Sequence, residues 1–266
     1  MPLLNSANCS SVSSHLGVEI HGIDLTELDD FGPLLNELAR SHLLVVRNQN
    51  LSEEQLVQIS CKFGEPIPSL MPKFRLENYP VISRYSNAKG QNNEAAGAMA
   101  PEYVFHSDSY LLSNPNKETL LYSLKAPEFG GETFFVNMCT AYDLLEDDLK
   151  ELLDGKKIFY KNAYLNQPPV AHPIIRTNPI TQRKSLFVNL NRALGIEGLD
   201  EKSGLDLIKF LYDHSVKPER IYKHKWHNGD LLIWDNPTTM HCASEIDDSQ
   251  ERLLHRVLIK GNEPVT

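Results

Sequence analysis

Apolar positions along the chain change their period several times. Residues 16–25 (LGVEIHGIDL) alternate in part and predict a strand or hairpin. Residues 31–42 (FGPLLNELARSH) carry apolar side chains at helical spacing, and 43–47 (LLVVR) form a short continuous run that predicts a buried strand. Helical spacing returns over 52–63 (SEEQLVQISCKF), where Ser52 with Gln55 three residues on makes a capping-box pattern. Further along, apolar runs bounded by turn signals predict strands at 119–124, 132–136, 186–189, 230–234 and 252–259. Two helical stretches, about 140–153 and 203–214, interrupt them. Many short strands separated by long excursions point to mixed β with α: a β-sandwich or jelly roll with helices outside.

Residues 86–101 (SNAKGQNNEAAGAMAP) lack large apolar groups and read as a mobile loop. With the run up to 105 they form the expected active-site loop, directly before the first chemical motif. No repeat, low-complexity segment or long linker divides the chain. Its 266 residues, 41% hydrophobic, suffice for a sizeable core, and composition alone fits one large domain or two small ones.

A net charge of −9 disfavours nucleic acid as a partner, since phosphate binding needs a basic surface. No run approaches the roughly 18 apolar residues of a membrane span, and the N-terminal segment lacks the pattern of a signal peptide. Cys9, Cys61, Cys139 and Cys242 form no C-x-x-C pair and read as free thiols. These features set the expectation of a cytoplasmic protein with a small-molecule partner.

The chemical signal begins at Phe105-His106-Ser107-Asp108. In an extended segment His106 and Asp108 point to one face, so an imidazole and a carboxylate could share a metal ion. The candidate third ligand is His241, at the end of Trp234-Asp235-Asn236-Pro237-Thr238-Thr239-Met240-His241. Two histidines and one carboxylate on one face of an octahedron leave positions open, an arrangement suited to iron(II) oxygenases. The sequence contains no H-E-x-x-H, G-x-S-x-G, Walker-type phosphate loop or G-x-G-x-x-G.

Motifs spread over nearly the whole chain resemble the taurine dioxygenase / 2,4-dichlorophenoxyacetate dioxygenase family of iron(II)/2-oxoglutarate oxygenases. They are LGVEIHGIDL, LLVVRNQNLS, CKFGEP, the HSD, APEFGGETFFVN, HPIIRTNPITQRKSLFVN, NGDLLIWDNPTTMH and RLLHRVLIKG, in the family's order and spacing. The resemblance implies a single domain over 1–266 with a double-stranded β-helix core and flanking helices. It implies iron bound by His106, Asp108 and His241, with 2-oxoglutarate and O2 as co-substrates. Thr133 would hydrogen-bond a 2-oxoglutarate carboxylate, and Arg252, 11 positions after His241, would pair with the far one. Arg256, 15 positions after His241, would hold an anionic group of the substrate. The physics agrees: a guanidinium offers a carboxylate two parallel contacts, and Arg252, Leu254 and Arg256 share one face of an extended strand.

The implied reaction is oxidation of a small anionic organic molecule, by hydroxylation or desaturation, with 2-oxoglutarate decarboxylated to succinate and CO2. Asp108 argues against the related halogenases, which lack the carboxylate ligand. Alternatives left open are an amino-acid-derived intermediate such as an isonitrile or its precursor as substrate, a non-catalytic 2-oxoglutarate/metal sensor on the same fold, and a zinc hydrolase or isomerase. Family members are often oligomers, so a homo-oligomer is expected. The segment 63–72 (FGEPIPSLMP) lacks the histidine and tyrosine that the taurine enzyme carries there, so the substrate pocket differs. Tyr103, Tyr110, Phe74, Met71 and Phe135 are candidates for its apolar lining. Trp226 and Trp234 read as core aromatics, Gly130-Gly131 as a turn, and His172, Arg176 and His255 as structural.

Overall fold

The computed structural model describes residues 8–88, 103–164 and 166–261. In chain order, β1 (Cys9–Ser11), β2 (Val18–Ile20), α1 (Gly32–Ser41), β3 (Leu43–Val46), α2 (Glu53–Phe63), β4 (Pro66–Ile67) and β5 (Ile82–Ser86) build the first part. They are followed by β6 (Glu118–Lys125), β7 (Thr133–Asn137), α3 (Met138–Asp143), α4 (Asp147–Leu153), β8 (Lys157–Tyr160), β9 (Val170–Pro173), β10 (Ile175–Thr177) and β11 (Lys184–Leu186). The last part holds β12 (Ala193–Ile196), α5 (Glu201–Ser215), β13 (Tyr222–His224), β14 (Leu231–Asp235), β15 (Thr239–Ala243) and β16 (Leu253–Ile259).

The main sheet runs β1-β2-β3-β14-β6-β16-β4, with β5 also paired to β16. Its pairings are antiparallel apart from β2 with β3. The strand alternation explains the continuous apolar runs. Leu43, Val45, Leu121, Leu232, Trp234 and Leu254 face inward, toward Phe135 and Trp226. Leu44, Val46, Leu120, Leu231, Ile233 and Val257 face outward and are covered by Leu34 and Leu38 of α1 and Leu56, Ile59 and Phe63 of α2. A strand buried on both faces needs apolar residues at every position, so period 2 disappears from the sequence. Each such side chain contributes about 1.5–3 kcal/mol by leaving water.

Across the interior lies the sheet β13-β7-β15, and behind it the sheet β12-β8-β9 and the hairpin β10-β11. A third cluster, with Val136, Met138, Ile158, Tyr160, Ile208 and Leu211, joins these to α3 and α5. Two layers of mainly antiparallel strands with outer helices form the expected jelly-roll architecture.

Several elements differ in detail from expectation. The helix expected over 140–153 is two. Asn137 caps α3 by accepting from the N–H groups of Cys139 and Thr140, and the chain restarts at extended Glu146 with Asp147 and Asp148 in the first turn of α4. Acidic side chains favour that end of a helix. The strand expected over 186–189 ends at Leu186, because Asn189 is drawn to other partners, described below. Around Ser52 both hydrogen bonds of the capping box are present. The loop expected over 86–105 falls mostly outside the described residues.

Candidate metal centre

His106 and His241 meet because the backbone pairs them. The N–H of His106 donates to the carbonyl of His241 at 3.0 Å, and the N–H of His241 to that of His106 at 2.8 Å. This single antiparallel bridge sets the two side chains on one face, with ring centroids 4.5 Å apart. His241 lies mid-strand in β15, opposite Phe135 of β7. The extended segment expected around the H-x-D is shorter than a strand: beyond His106 the chain enters a turn, with Ser109 at φ 57°.

Asp108 is fixed from four sides. Its N–H donates to Asn236 Oδ1 at 2.6 Å, and Asn236 Nδ2 donates to the carbonyl of Asp108 at 3.0 Å. The Thr119 hydroxyl donates to Oδ2 at 2.8 Å, and Arg256 Nη1 donates to Oδ1 at 2.8 Å. Ser107 between the ligand candidates is held as well, its N–H on Asn189 Oδ1 at 2.7 Å and its hydroxyl on the Thr239 carbonyl at 3.1 Å. Asn236 also donates to the carbonyl of Asn116 at 2.8 Å. It lies in the short 3-10 turn Asn236–Thr238 that leads into β15, so one buried amide ties the H-x-D segment to the strand carrying His241.

His106 Nδ1 lies 3.0 Å from the carbonyl of Val104. A carbonyl only accepts, so Nδ1 carries the proton and Nε2 presents the lone pair. His241 Nε2 lies 3.9 Å from Asp108 Oδ2. Burial, countered in part by Asp108, pushes the His241 imidazole down to about 3 and keeps it neutral, the form that binds metals. Burial would raise the carboxyl of Asp108, but Arg256, the two imidazoles and the Thr119 hydroxyl outweigh it and hold it at about 2. The site therefore offers two imidazole nitrogens and one carboxylate, with ligand atoms of the three residues within 4.8 Å of one another. His241 Nδ1 is buried without a hydrogen-bond partner among the described residues. This donor set fits a divalent transition metal.

A cavity of about 420 Å³ opens beside the triad, between β7 and β15 on one side and β6, β14 and β16 on the other. Thr133, first in β7, and Arg252, just before β16, both line it. The Thr133 oxygen accepts from Trp226 Nε1 at 3.1 Å, which leaves the hydroxyl proton to donate into the cavity. Arg252 Nη1 donates to the carbonyl of Gly131 at 2.7 Å, and its Nε is buried without a hydrogen-bond partner among the described residues. Gly131 makes the close approach possible: at φ 67°, a Cβ there would lie 3.1 Å from Ile246 and Pro127 and 3.5 Å from Arg252 Cδ. Burial lowers the Arg252 pKa from its usual value, opposed by Glu132 and Tyr103. Arg256 lines the same cavity, stacked over Tyr85 with 4.4 Å from its guanidinium carbon to the ring centre.

The sequence profile described as "Taurine catabolism dioxygenase TauD, TfdA family" matches residues 9–258. The chain belongs to this TauD/TfdA family. It is 30% identical over 251 residues to the alpha-ketoglutarate-dependent 2,4-dichlorophenoxyacetate dioxygenase of Burkholderia sp. (strain RASC), covering 85% of this chain and 84% of that one. Among solved structures, a taurine dioxygenase from Burkholderia xenovorans superimposes with a TM-score of 0.82 at 27% identity, covering 96% of this chain and 90% of that one. AAD-2 in complex with Mn(II) and N-oxalylglycine gives a TM-score of 0.84 at 25% identity, covering 97% of this chain and 99% of that one. As a TauD/TfdA member, the chain is a 2-oxoglutarate-dependent dioxygenase, with O2 as the other co-substrate.

The fold brings all six residues singled out in the TauD/TfdA motifs to one cavity. The apolar lining is partly different. Tyr110 and Met71 line the cavity, whereas Tyr103, Phe74 and Phe135 are not part of the wall. Phe135 is fully buried and packs edge-on against Trp234, 5.3 Å between ring centres. Trp234, expected in the core, faces both the core and the cavity. His172, with Nε2 2.9 Å from the carbonyl of Tyr110, and His255, buried on the opposite face of β16 from Arg256, lie away from the triad. Sequence reasoning missed Thr119, Asn189, Asn236, Tyr85 and Arg192. Of these only Asn236, between an acidic residue and proline, carried a visible turn signal.

Proposed function

We propose that this TauD/TfdA dioxygenase oxidises a small anionic organic substrate at an iron(II) ion held by His106, Asp108 and His241. The observation that carries the reading is the convergence of those three residues, Thr133 and Arg252 on one cavity. Two histidines and a carboxylate with open positions suit iron(II) among the divalent metals. The ion, when bound, supplies the redox step that couples decarboxylation of 2-oxoglutarate to succinate with activation of O2. The chain supplies position and charge. Thr119 and Arg256 hold both oxygens of Asp108, and the carbonyl of Val104 sets the His106 tautomer. Thr133 and the Arg252 guanidinium receive the far carboxylate of 2-oxoglutarate, a charge-assisted contact. Arg256 faces the substrate's side of the cavity and holds an anionic group beside the metal. The four free thiols fit a cytoplasmic setting.

The test is oxygen-dependent conversion of 2-oxoglutarate to succinate by protein loaded anaerobically with iron(II), measured across a panel of small carboxylates and sulfonates. The expected outcome is succinate above the metal-free control, stimulated by one substrate class. Metal binding without any 2-oxoglutarate affinity would overturn the reading.

A further inference from the structure

Behind Thr133 lies a buried polar network that the proposed reaction does not use. Thr133 begins β7, and His224 of β13 stands directly opposite it in the ladder. His224 is fully buried. Its Nε2 lies 3.1 Å from Asp230 Oδ2, and its Nδ1 lies 3.0 Å from the Tyr222 hydroxyl. A carboxylate only accepts, so Nε2 carries the proton and Nδ1 accepts from Tyr222. Burial, opposed by Asp230, pushes the imidazole below its ordinary range and keeps it neutral. Asp230 is fully buried as well, and its Oδ2 also accepts from Arg47 Nη1 at 2.6 Å and from the N–H of His227 at 2.7 Å. Glu19 holds Arg47 in turn, accepting from Nε at 2.9 Å and from Nη2 at 2.7 Å.

Trp226 rests against this network. It follows β13, belongs to no strand and is buried. His224 meets its indole in a T-shaped contact, with 4.7 Å between ring centres and 81° between planes. The one polar atom of the indole, Nε1, donates to the Thr133 oxygen at 3.1 Å. Thr133 lines the cavity, whereas Trp226 stands outside its described wall. The indole N–H therefore acts on a ligand through the threonine. A buried ionic network is a weak source of stability. What this one does is fix an indole that no strand ladder holds.

We infer that Trp226 is a positioning residue for 2-oxoglutarate: its N–H fills one lone pair of the Thr133 oxygen and turns the hydroxyl proton toward the far carboxylate of the co-substrate, with His224, Asp230 and Arg47 fixing the indole. This rests on the proposed function, which gives Thr133 that carboxylate. A free hydroxyl rotates and can accept as well as donate. One already occupied by a donor is preset to donate, so less freedom is lost on binding, and its polarised O–H is the stronger donor.

The test is a double-mutant cycle on 2-oxoglutarate affinity, measured by calorimetry on the whole protein held without oxygen in saturating Mn(II). Trp226→Phe is expected to weaken binding about three- to tenfold, the scale of one buried hydrogen bond. In a Thr133→Val background, where the acceptor is gone, the same change should cost less than about twofold. Benzothienylalanine in place of Trp226 exchanges only the N–H for sulfur and keeps the shape of the ring system. It should weaken binding as Trp226→Phe does, which separates the hydrogen bond from any packing defect. Equal losses in the two backgrounds, or full affinity in the benzothienylalanine protein, would reduce Trp226 to packing and overturn the inference. Undiminished 2-oxoglutarate affinity in Thr133→Val alone, or no binding by the wild-type protein, would strike at the proposed function and take the inference with it.

Discussion

The inner and outer halves of the cavity are held in place by different means. In the inner half, His241 and Thr133 stand on paired strands, His106 is bridged to His241, and Asp108 has partners for its N–H, its carbonyl and both carboxylate oxygens. In the outer half, Leu70 and Met71 are 46% and 37% exposed and Arg192 sits in a turn. The inner half has ladder hydrogen bonds and a buried amide to fix each donor. The outer half is held by turn and side-chain hydrogen bonds, such as the Tyr110 hydroxyl to the carbonyl of Asn191 and the Met71 N–H to the Ser69 hydroxyl, with no strand ladder. Reaction class and substrate choice are thereby separated: a change at the mouth leaves the triad's supports untouched, whereas a change in the supports reaches the metal.

Substitutions can break this contrast. Asp108→Ala should have the largest effect, because it removes the one anionic ligand candidate and the 2.8 Å ion pair that Arg256 makes with it. Metal titration and succinate formation should both fall to the level of metal-free protein. Asn236→Ala comes next. It touches no metal, yet it deletes the amide bracket on both backbone groups of Asp108. Metal affinity should fall about 10- to 100-fold, with a loss of about 1–3 kcal/mol in unfolding free energy for the buried groups left unsatisfied. Unchanged metal affinity in that variant would show that the bracket supports the fold alone.

The smallest expected effect lies one residue from Thr119. Burial, opposed by Lys117, raises the carboxyl of Glu118 to about 7. A carboxyl whose folded pKa lies above its unfolded value of 4.5 contributes stability below that value and loses it as pH rises through 7. Glu118→Gln should therefore gain stability relative to wild type between pH 5 and pH 8, read as the difference in urea midpoints. A difference that stays flat across that range would contradict the assignment.

Much of this was legible in the sequence, for identifiable reasons. LLVV and LLIWD read as buried strands because both faces of the main sheet are covered. Ser52 and Gln55 announced the start of α2 because the capping box is local. The HSD, the distal histidine and the spacing of Thr133, Arg252 and Arg256 were visible as a pattern. By contrast KIFY, VAHP and ALGI, the strands β8, β9 and β12, are four residues each, and β12 has a register shift between Ala193 and Gly195. Their pairing is long-range and leaves no periodic trace. The supports of the site were hidden for the same reason: Thr119, Asn189 and Asn236 act through partners distant in sequence, and an isolated threonine or asparagine looks the same whether or not it holds a ligand. The bridge that joins His106 to His241 is one pair of backbone hydrogen bonds, with no side-chain signature.

The central claim is that one cavity holds both the metal and the co-substrate. A crystal structure of the protein with Mn(II) and N-oxalylglycine, with anomalous data to locate the metal, tests it most directly. The account predicts a single strong anomalous peak among His106, Asp108 and His241, with the far carboxylate of N-oxalylglycine against Thr133 and Arg252. A peak away from those three residues, or a carboxylate bound elsewhere, would contradict it.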